Sequence, residues 1–419
     1  SGTKMNFWTA NSEGVRRNNR ASVMALIHEH YGIDRTELAS LVGVTNAAIT
    51  NIVNELIRAE LVEEVASKNI SVNRGRKRVG LKINDRGGFV LGITVLATNA
   101  SVTLASLTGN VIDEVSFYPK KLTDPVSTLD EVAEQAMLIC ERHAVPSARL
   151  LGVGFAIAGF LNEELQTLES APYLGWPKFD LRHELAKRFK KPLAIENVTR
   201  CIAFAETRIG NFVGASSLMV IRAALGLGGA IVTNGQLMTG FSNLAGDIGH
   251  ISAQSDGNLC SCGKQGCLNT IASGWAVMKR LGINEGRYKN ISQFRTQDRI
   301  LRDILGEDDD EFTDKADVIC ETGRLLADHS VNLLQALDAE FCLLTGPLGR
   351  HKLYANAFRS RLMEYGYNRN IVLGNEVDIL TPAKASVGLA LSNLVFAPSL
   401  SIDELVRDET TYLKAEGKF

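Results

Sequence analysis

Apolar residues recur at helical spacing in the first part of the chain and give way to strand-like runs in the rest. Over residues 20–31, Val23, Leu26, Ile27 and Tyr31 fall on one stripe and predict a helix that Gly32 ends. A short second helix is expected over 35–42, and a third, capped by Thr45, runs to about residue 59 with Ile49, Ile52, Val53 and Leu56 inward. Residues 61–65 and 79–83 read as short strands. From Phe89 onward strands alternate with helices: 89–95, 101–107, 150–156, 192–195, 217–222, 230–233 and 340–345 are strand-like. The turn Thr108-Gly109-Asn110 follows the second of these. Residues 127–143 form an amphipathic helix with Leu129, Val132, Ala133, Ala136 and Met137 on one face. This alternation predicts α/β architecture in two lobes. No repeat of about 20–50 residues and no low-complexity linker interrupts it.

The first three helices have a more particular logic. Ala39 is small where two helices cross, Gly43 permits a tight turn, and Ile49 locks the third helix onto the second. Those roles at those offsets describe a helix-turn-helix. The outward residues of the third helix, Asn46, Ala47, Thr50 and Asn51, are small and mostly hydrogen-bonding, which suits a major groove. An ordinary three-helix interaction module is the plainer alternative. Between the two short strands lies Asn73-Arg74-Gly75-Arg76-Lys77-Arg78, four cations around a glycine. A charge run is often only a solvated loop, but a cationic hairpin directly after a helix-turn-helix reads as a wing for phosphates or a minor groove.

Charge supports the division. The whole chain has a formal charge of −2, yet residues 1–85 hold 12 Lys and Arg against 9 Asp and Glu, while the remainder holds 33 against 38. A mildly basic head on an acidic body leaves nucleic-acid binding to the head. At 419 residues the chain exceeds one core, since single cores rarely grow past about 250–300 residues. The expected domains are therefore 1–85, a winged helix-turn-helix, and 86–419 in two lobes, about 86–200 with a C-terminal helix and 201–385. With 45% hydrophobic and 22% charged residues, and no apolar run near the roughly 20 residues that span a bilayer, a globular protein without membrane insertion is expected. The first 30 residues carry charges and no apolar core, which points to the cytoplasm. Seven cysteines, three of them within eight positions, suit metal binding in a reducing compartment better than a disulfide framework.

Asp247-Ile248-Gly249-His250 followed by Cys260-Ser261-Cys262-Gly263-Lys264-Gln265-Gly266-Cys267 resembles the signature of the ROK family, which groups repressors and sugar kinases. With the helix-turn-helix and wing, nearly the whole chain resembles that family's repressor branch, the NagC, Mlc and xylose-repressor type. The resemblance implies an actin/hexokinase-like body with a cleft between its lobes. Three thiolates and one imidazole, Cys260, Cys262, Cys267 and His250, make a closed tetrahedral site for structural Zn2+. Three buried free thiols beside a satisfied core histidine are the alternative.

The resemblance also tests for catalysis. An active ROK kinase carries a DxGGT phosphate loop, and the chain reads Thr94-Val95-Leu96-Ala97-Thr98, with Thr94 for the aspartate and Leu96 and Ala97 for the glycines. The catalytic-base motif reads Glu196-Asn197-Val198, with Val198 where an aspartate belongs. The glycine-threonine-glycine turn reads Ala224-Leu225-Gly226. No enzyme is expected, because valine cannot accept a proton and losing a general base costs about a hundred- to ten-thousand-fold.

On the sugar side the resemblance places Gly159, Asn197, Asp247, His250 and Asn269 as ligand-binding residues, Asp247 and Asn269 each replacing a glutamate. Glu169, Trp176 and Arg200 are further candidates for the cleft lining. The expected function is a bacterial transcriptional regulator, a homodimer or homotetramer on double-stranded operator DNA in the nucleoid, gated by a sugar or sugar phosphate. Thr45, Asn46, Thr50, Asn51, Arg74, Arg76, Lys77 and Arg78 are its DNA-binding candidates. An Mlc-like regulator induced by a transport protein, and an active sugar kinase, are the alternatives.

Overall fold

Helical spacing and strong local caps fold the N-terminal head. In order it comprises α1 (Ser12–Glu29), β1 (Ile33–Asp34), α2 (Arg35–Val42), α3 (Asn46–Arg58), β2 (Val62–Ala66) and β3 (Val79–Ile83). The structure, a computed structural model, describes residues 12–67, 79–162, 167–283, 291–306, 314–403 and 405. Asp34 caps α2 by accepting from the Thr36 and Glu37 amides at 2.9 and 3.0 Å, and Gly43 ends it in the left-handed region at φ 75°. Thr45 caps α3 by accepting from the Ala48 amide at 3.2 Å. Ile49, Ile52, Val53 and Leu56 are buried under α3, and the head's sheet has the order β1-β3-β2. Tyr31 departs from the expected inner stripe and is 56% exposed, because α1 stops at Glu29 and helical spacing no longer aims its side chain.

The body begins with β4 (Phe89–Val95), β5 (Ala100–Ser106), β6 (Val111–Phe117), α4 (Pro125–Arg142) and β7 (Leu150–Ile157). A small hairpin, β8 (Phe160–Asn162) and β9 (Thr167–Ser170), precedes α5 (Leu181–Phe189), β10 (Leu193–Asn197) and α6 (Val198–Arg208). On α4 the buried stripe is Leu129, Val132, Ala136 and Ile139. Met137 is 61% exposed, since it follows the buried Ala136 by one residue and so turns about 100° away from that stripe.

The second lobe carries β11 (Ser217–Ala223), β12 (Leu227–Thr233), β13 (Gln236–Leu237), α7 (Asn269–Ala272), α8 (Gly274–Arg280), α9 (Ile291–Gly306) and α10 (Asp314–Leu337). It continues with β14 (Phe341–Thr345), α11 (Gly346–Gly349), α12 (Lys352–Glu364) and β15 (Asn370–Leu373), and α13 (Pro382–Ala390) returns to the first lobe.

The two lobes share one plan. The first sheet runs β10-β7-β4-β5-β6 and the second β13-β12-β11-β14-β15. In each, three antiparallel strands, β4-β5-β6 or β11-β12-β13, are extended by two parallel ones, β7 and β10 or β14 and β15. This is the actin/hexokinase-like arrangement, and it sets the ends of β4, β10, β11 and β14 around a central cleft.

Head and body are packed together. One buried cluster runs from Met24, Ile27 and Leu61 through Val90, Leu107 and Leu151 to Leu391, Leu394 and Leu400. Arg149 donates to the carbonyls of Ala59 and Gly87 at 2.7 and 3.0 Å and to Glu60 at 2.7 Å, which fastens the end of α3 to the body. Arg20 donates to the Leu400 carbonyl, and the His28 ring lies tilted against Phe396 with centroids 4.8 Å apart.

Candidate functional site

On the head, α3 presents Asn46, Ala47 and Asn51 to solvent, with Thr45 exposed at its N-terminus. Thr50 is half-buried and donates its hydroxyl to the Asn46 carbonyl at 2.8 Å, leaving the oxygen's acceptor capacity outward. Arg74, Arg76, Lys77 and Arg78 lie outside the described residues.

Between the lobes lies a cavity of about 550 Å³. Gly159, Asn197, Asp247 and His250 line it, and so do Thr94, Leu96, Ala97 and Val198 from the altered kinase motifs. Thr94 shares a hydrogen bond with Ser101 at 2.5 Å. Burial pushes the Asp247 carboxyl up from its ordinary value, against the opposing pull of His250 and Lys264.

Two expected ligand residues are largely occupied by the fold. Asn197 caps α6, its Oδ1 accepting from the Thr199 and Arg200 amides at 2.9 and 3.4 Å, and its Nδ2 donates to the Gly159 carbonyl at 2.9 Å. Asn269 stands behind the cavity wall, where its Oδ1 accepts from the Leu227 amide at 2.8 Å and fixes the glycine-rich turn before β12. Of the further candidates, Arg200 lines the cavity but is held by Asn243 and by Glu196 at 3.3 Å. Glu169 pairs with Lys178 at 3.0 Å, and Trp176 is buried with its indole donating to the Leu122 carbonyl at 2.7 Å, so neither joins the lining.

Beside the cavity, His250, Cys260, Cys262 and Cys267 bring one donor atom each within 4.8 Å of one another. Tight turns build this cluster. The Cys260 amide donates to the Lys264 carbonyl at 2.8 Å, and a Cβ on Gly266 would stand 1.7 Å from the Gln254 carbonyl oxygen. Cys260 Sγ is 3.5 Å from His250 Nδ1, and Cys262 Sγ is 3.6 Å from Cys267 Sγ. Donors on a tetrahedron around zinc stand roughly 3.5–3.8 Å apart, given Zn–S near 2.3 Å and Zn–N near 2.0 Å. The donor set therefore fits a tetrahedral cation. Burial opposes ionisation of Cys260, but hydrogen bonds with His250 and Cys262 and the charge of His250 together outweigh it and draw the thiol down, while burial and the neighbouring sulfurs push Cys267 up. A bound cation would offset the mutual repulsion of thiolates at such close range.

Sequence reasoning missed part of the lining, notably Tyr173, Asn243, Arg222, Arg302 and Arg350. Arg222 had a readable signal, as the one charge inside the apolar run Leu218-Met219-Val220-Ile221-Arg222-Ala223. The others lie on turns and helices where a polar residue is unremarkable.

Fold and site together define a winged helix-turn-helix joined to a two-lobed, sugar-kinase-like body. The chain belongs to the ROK family, which it matches over residues 90–387, and residues 18–69 match the MarR family. It is similar to the xylose repressor of Bacillus spizizenii, with 25% identity over 93% of this chain and 97% of that one. It is also similar to a glucokinase of Halalkalibacterium halodurans, with 26% identity over 62% of this chain and 81% of that one. A solved ROK family transcriptional regulator, a homologue of the Escherichia coli MLC protein, shares the fold with a TM-score of 0.75. It is 24% identical, over 94% of this chain and 100% of that one. The family thus includes both regulators and kinases.

Proposed function

We propose that this chain is a DNA-binding repressor of carbohydrate uptake or catabolism genes, whose operator affinity is set by a sugar or sugar phosphate in the cleft. The observation that carries this reading is the continuous buried core joining the winged head to a cleft whose kinase positions hold Thr94, Leu96, Ala97 and Val198. A cleft that binds without reacting and is packed against a DNA-reading head can report occupancy to DNA.

In this reading the head ends near residue 85, and the rest senses ligand and assembles the homodimer or homotetramer that a two-fold operator requires. Thr45, Asn46, Thr50 and Asn51 face the major groove, and Arg74, Arg76, Lys77 and Arg78 contact the backbone. Asp247, His250 and Gly159 face the sugar, while Asn197 and Asn269 shape the wall. Zn2+ held by His250, Cys260, Cys262 and Cys267 orients His250. Among the described residues no helix is long and apolar enough to cross a membrane, and the site of action is the bacterial nucleoid.

A titration of sugars and sugar phosphates, run beside a coupled phosphorylation assay with ATP, tests the proposal. Saturable binding without turnover is expected, and phosphoryl transfer to any sugar overturns it. A second reading, in which a transport protein is the inducer, has one observation in its favour. Met238, Phe241 and Leu244 expose apolar surface on a loop whose Leu244 reaches the cleft, and Phe241 is 109% exposed. A permease fragment that displaces DNA, with no sugar binding, would favour that reading.

A further inference from the structure

The second-lobe wall of the cleft carries three arginines against two aspartates. Arg222 from β11, Arg302 from α9 and Arg350 after α11 line it, with Asp247 and Asp298 as the acids of that wall and Glu114 and Glu196 facing the cavity from the first lobe. Asp298 is already engaged by Arg302 Nε at 2.8 Å.

Arg222 is the least expected of the three. Ile221 and Ala223 beside it are buried, and the strand register sets it between Gly228 and Thr345. Among the described residues, its guanidinium has no hydrogen-bond or ion-pair partner; Asp298 and Arg302 are the nearest charges it feels. Burial lowers its pKa. Arg350 is exposed and likewise has no side-chain partner among the described residues. A half-buried guanidinium with no hydrogen-bonded carboxylate has given up part of its hydration, and an anion in the cavity would replace it with charge-assisted hydrogen bonds. Its planar fork matches phosphate oxygens.

The surrounding substitutions fit such an exchange. Where the family's kinases approach phosphate through an aspartate and glycine backbone, this cleft offers Thr94, Leu96 and Ala97. The carboxylate of the phosphate loop is replaced by Thr94, and of the acids left in the lining Glu196 is paired with Arg200 and Asp298 with Arg302, while Arg222 and Arg350 stand across the cavity. We propose that Arg222, Arg302 and Arg350 form a phosphate-binding subsite in the cleft, which takes the phosphate group of a small organic phosphate directly and without a divalent metal. The subsite rests on the reading of the cleft as a ligand pocket and adds the chemical class of the ligand.

Calorimetric titration of the full chain with inorganic phosphate, glucose 6-phosphate and AMP tests this, each with and without magnesium. Saturable binding that magnesium leaves unchanged is expected. Arg222→Gln should weaken it about ten-fold or more, as expected for a charged hydrogen bond, and Arg222→Lys should restore part of it. Tighter binding of glucose 6-phosphate identifies a sugar phosphate, and tighter binding of AMP a nucleotide; either supports the subsite. Inorganic phosphate binding no more weakly than both organic probes means an adventitious ion only and overturns the proposal. Unchanged affinity in a folded Arg222→Gln chain also overturns it. If that variant does not fold, the exposed Arg350→Gln decides, and an affinity equal to the native chain's overturns the proposal. Glucose titrated into the native chain separates the two readings: its binding without phosphate binding removes the subsite alone.

Discussion

Asn197 shows how one side chain is claimed by the fold as well as by the cleft. Both its amide oxygen and its amide nitrogen are used, on the α6 N-terminus and on Gly159. Asn197→Ala should therefore lower stability by about 1 kcal/mol, the usual cost of losing a helix cap. Urea unfolding without ligand measures this, and an unchanged midpoint would contradict the capping role. His28 offers a pH-dependent counterpart at the head–body seam. Burial holds its pKa below the ordinary 6.5, despite a hydrogen bond with the Thr108 carbonyl and the pull of Glu29. The unfolded chain then takes up the proton first as pH falls. Stability is full above about pH 6.5 and declines below it, down through the folded-state pKa. His28→Leu should remove that component from a plot of unfolding midpoint against pH, and parallel plots would refute it. At this scale the sequence was only half legible. Motif positions such as Asn197 and Asp247 could be placed at the cavity by resemblance, but whether an amide faces ligand or backbone depends on contacts distant in sequence, as for Asn269 and Leu227.

Elements were legible where their signals are local. Asp34, Gly43 and Thr45 punctuate α2 and α3 within a few residues of what they cap, so those boundaries fall where the pattern sets them. The edge strand β6 was not anticipated, because Val111-Ile112-Asp113-Glu114 shows no clean alternation and its partner β5 supplies the pairing. The wing carries a prediction of its own. Replacing Arg74, Arg76 and Lys77 with alanine should weaken binding to all DNA and flatten its dependence on salt by up to about three units of log–log slope. A native slope in that variant would remove the wing from the interface. For the cysteine loop, the proposed zinc site predicts about one ion per native chain by metal analysis, and Cys262→Ser should lose it. It should also lower the unfolding temperature, because loop and His250 lose their common anchor. A native chain that folds fully without metal would contradict this.

At the scale of the molecule, the duplicated sheet order was invisible to a search for sequence repeats, since what repeats is strand direction and connection rather than residue identity. The docking of head on body was equally hidden. It is made by segments as distant as α1 and Leu400, and by the Arg149 clamp on the end of α3. That docking gives the cleft a mechanical route to DNA: Leu380, Thr381 and Ala383 line the cavity at the start of α13, and the chain beyond α13 packs under the head. Coupling of about 1–3 kcal/mol, a five- to 150-fold change in affinity, is typical of such proteins. The decisive measurement is the affinity of the full chain for DNA from upstream of its own gene, taken with and without saturating sugar or sugar phosphate. The account predicts a shift of that size, matched by an equal change in ligand affinity when DNA is bound. A ligand that saturates the cleft and leaves DNA affinity unchanged would contradict it.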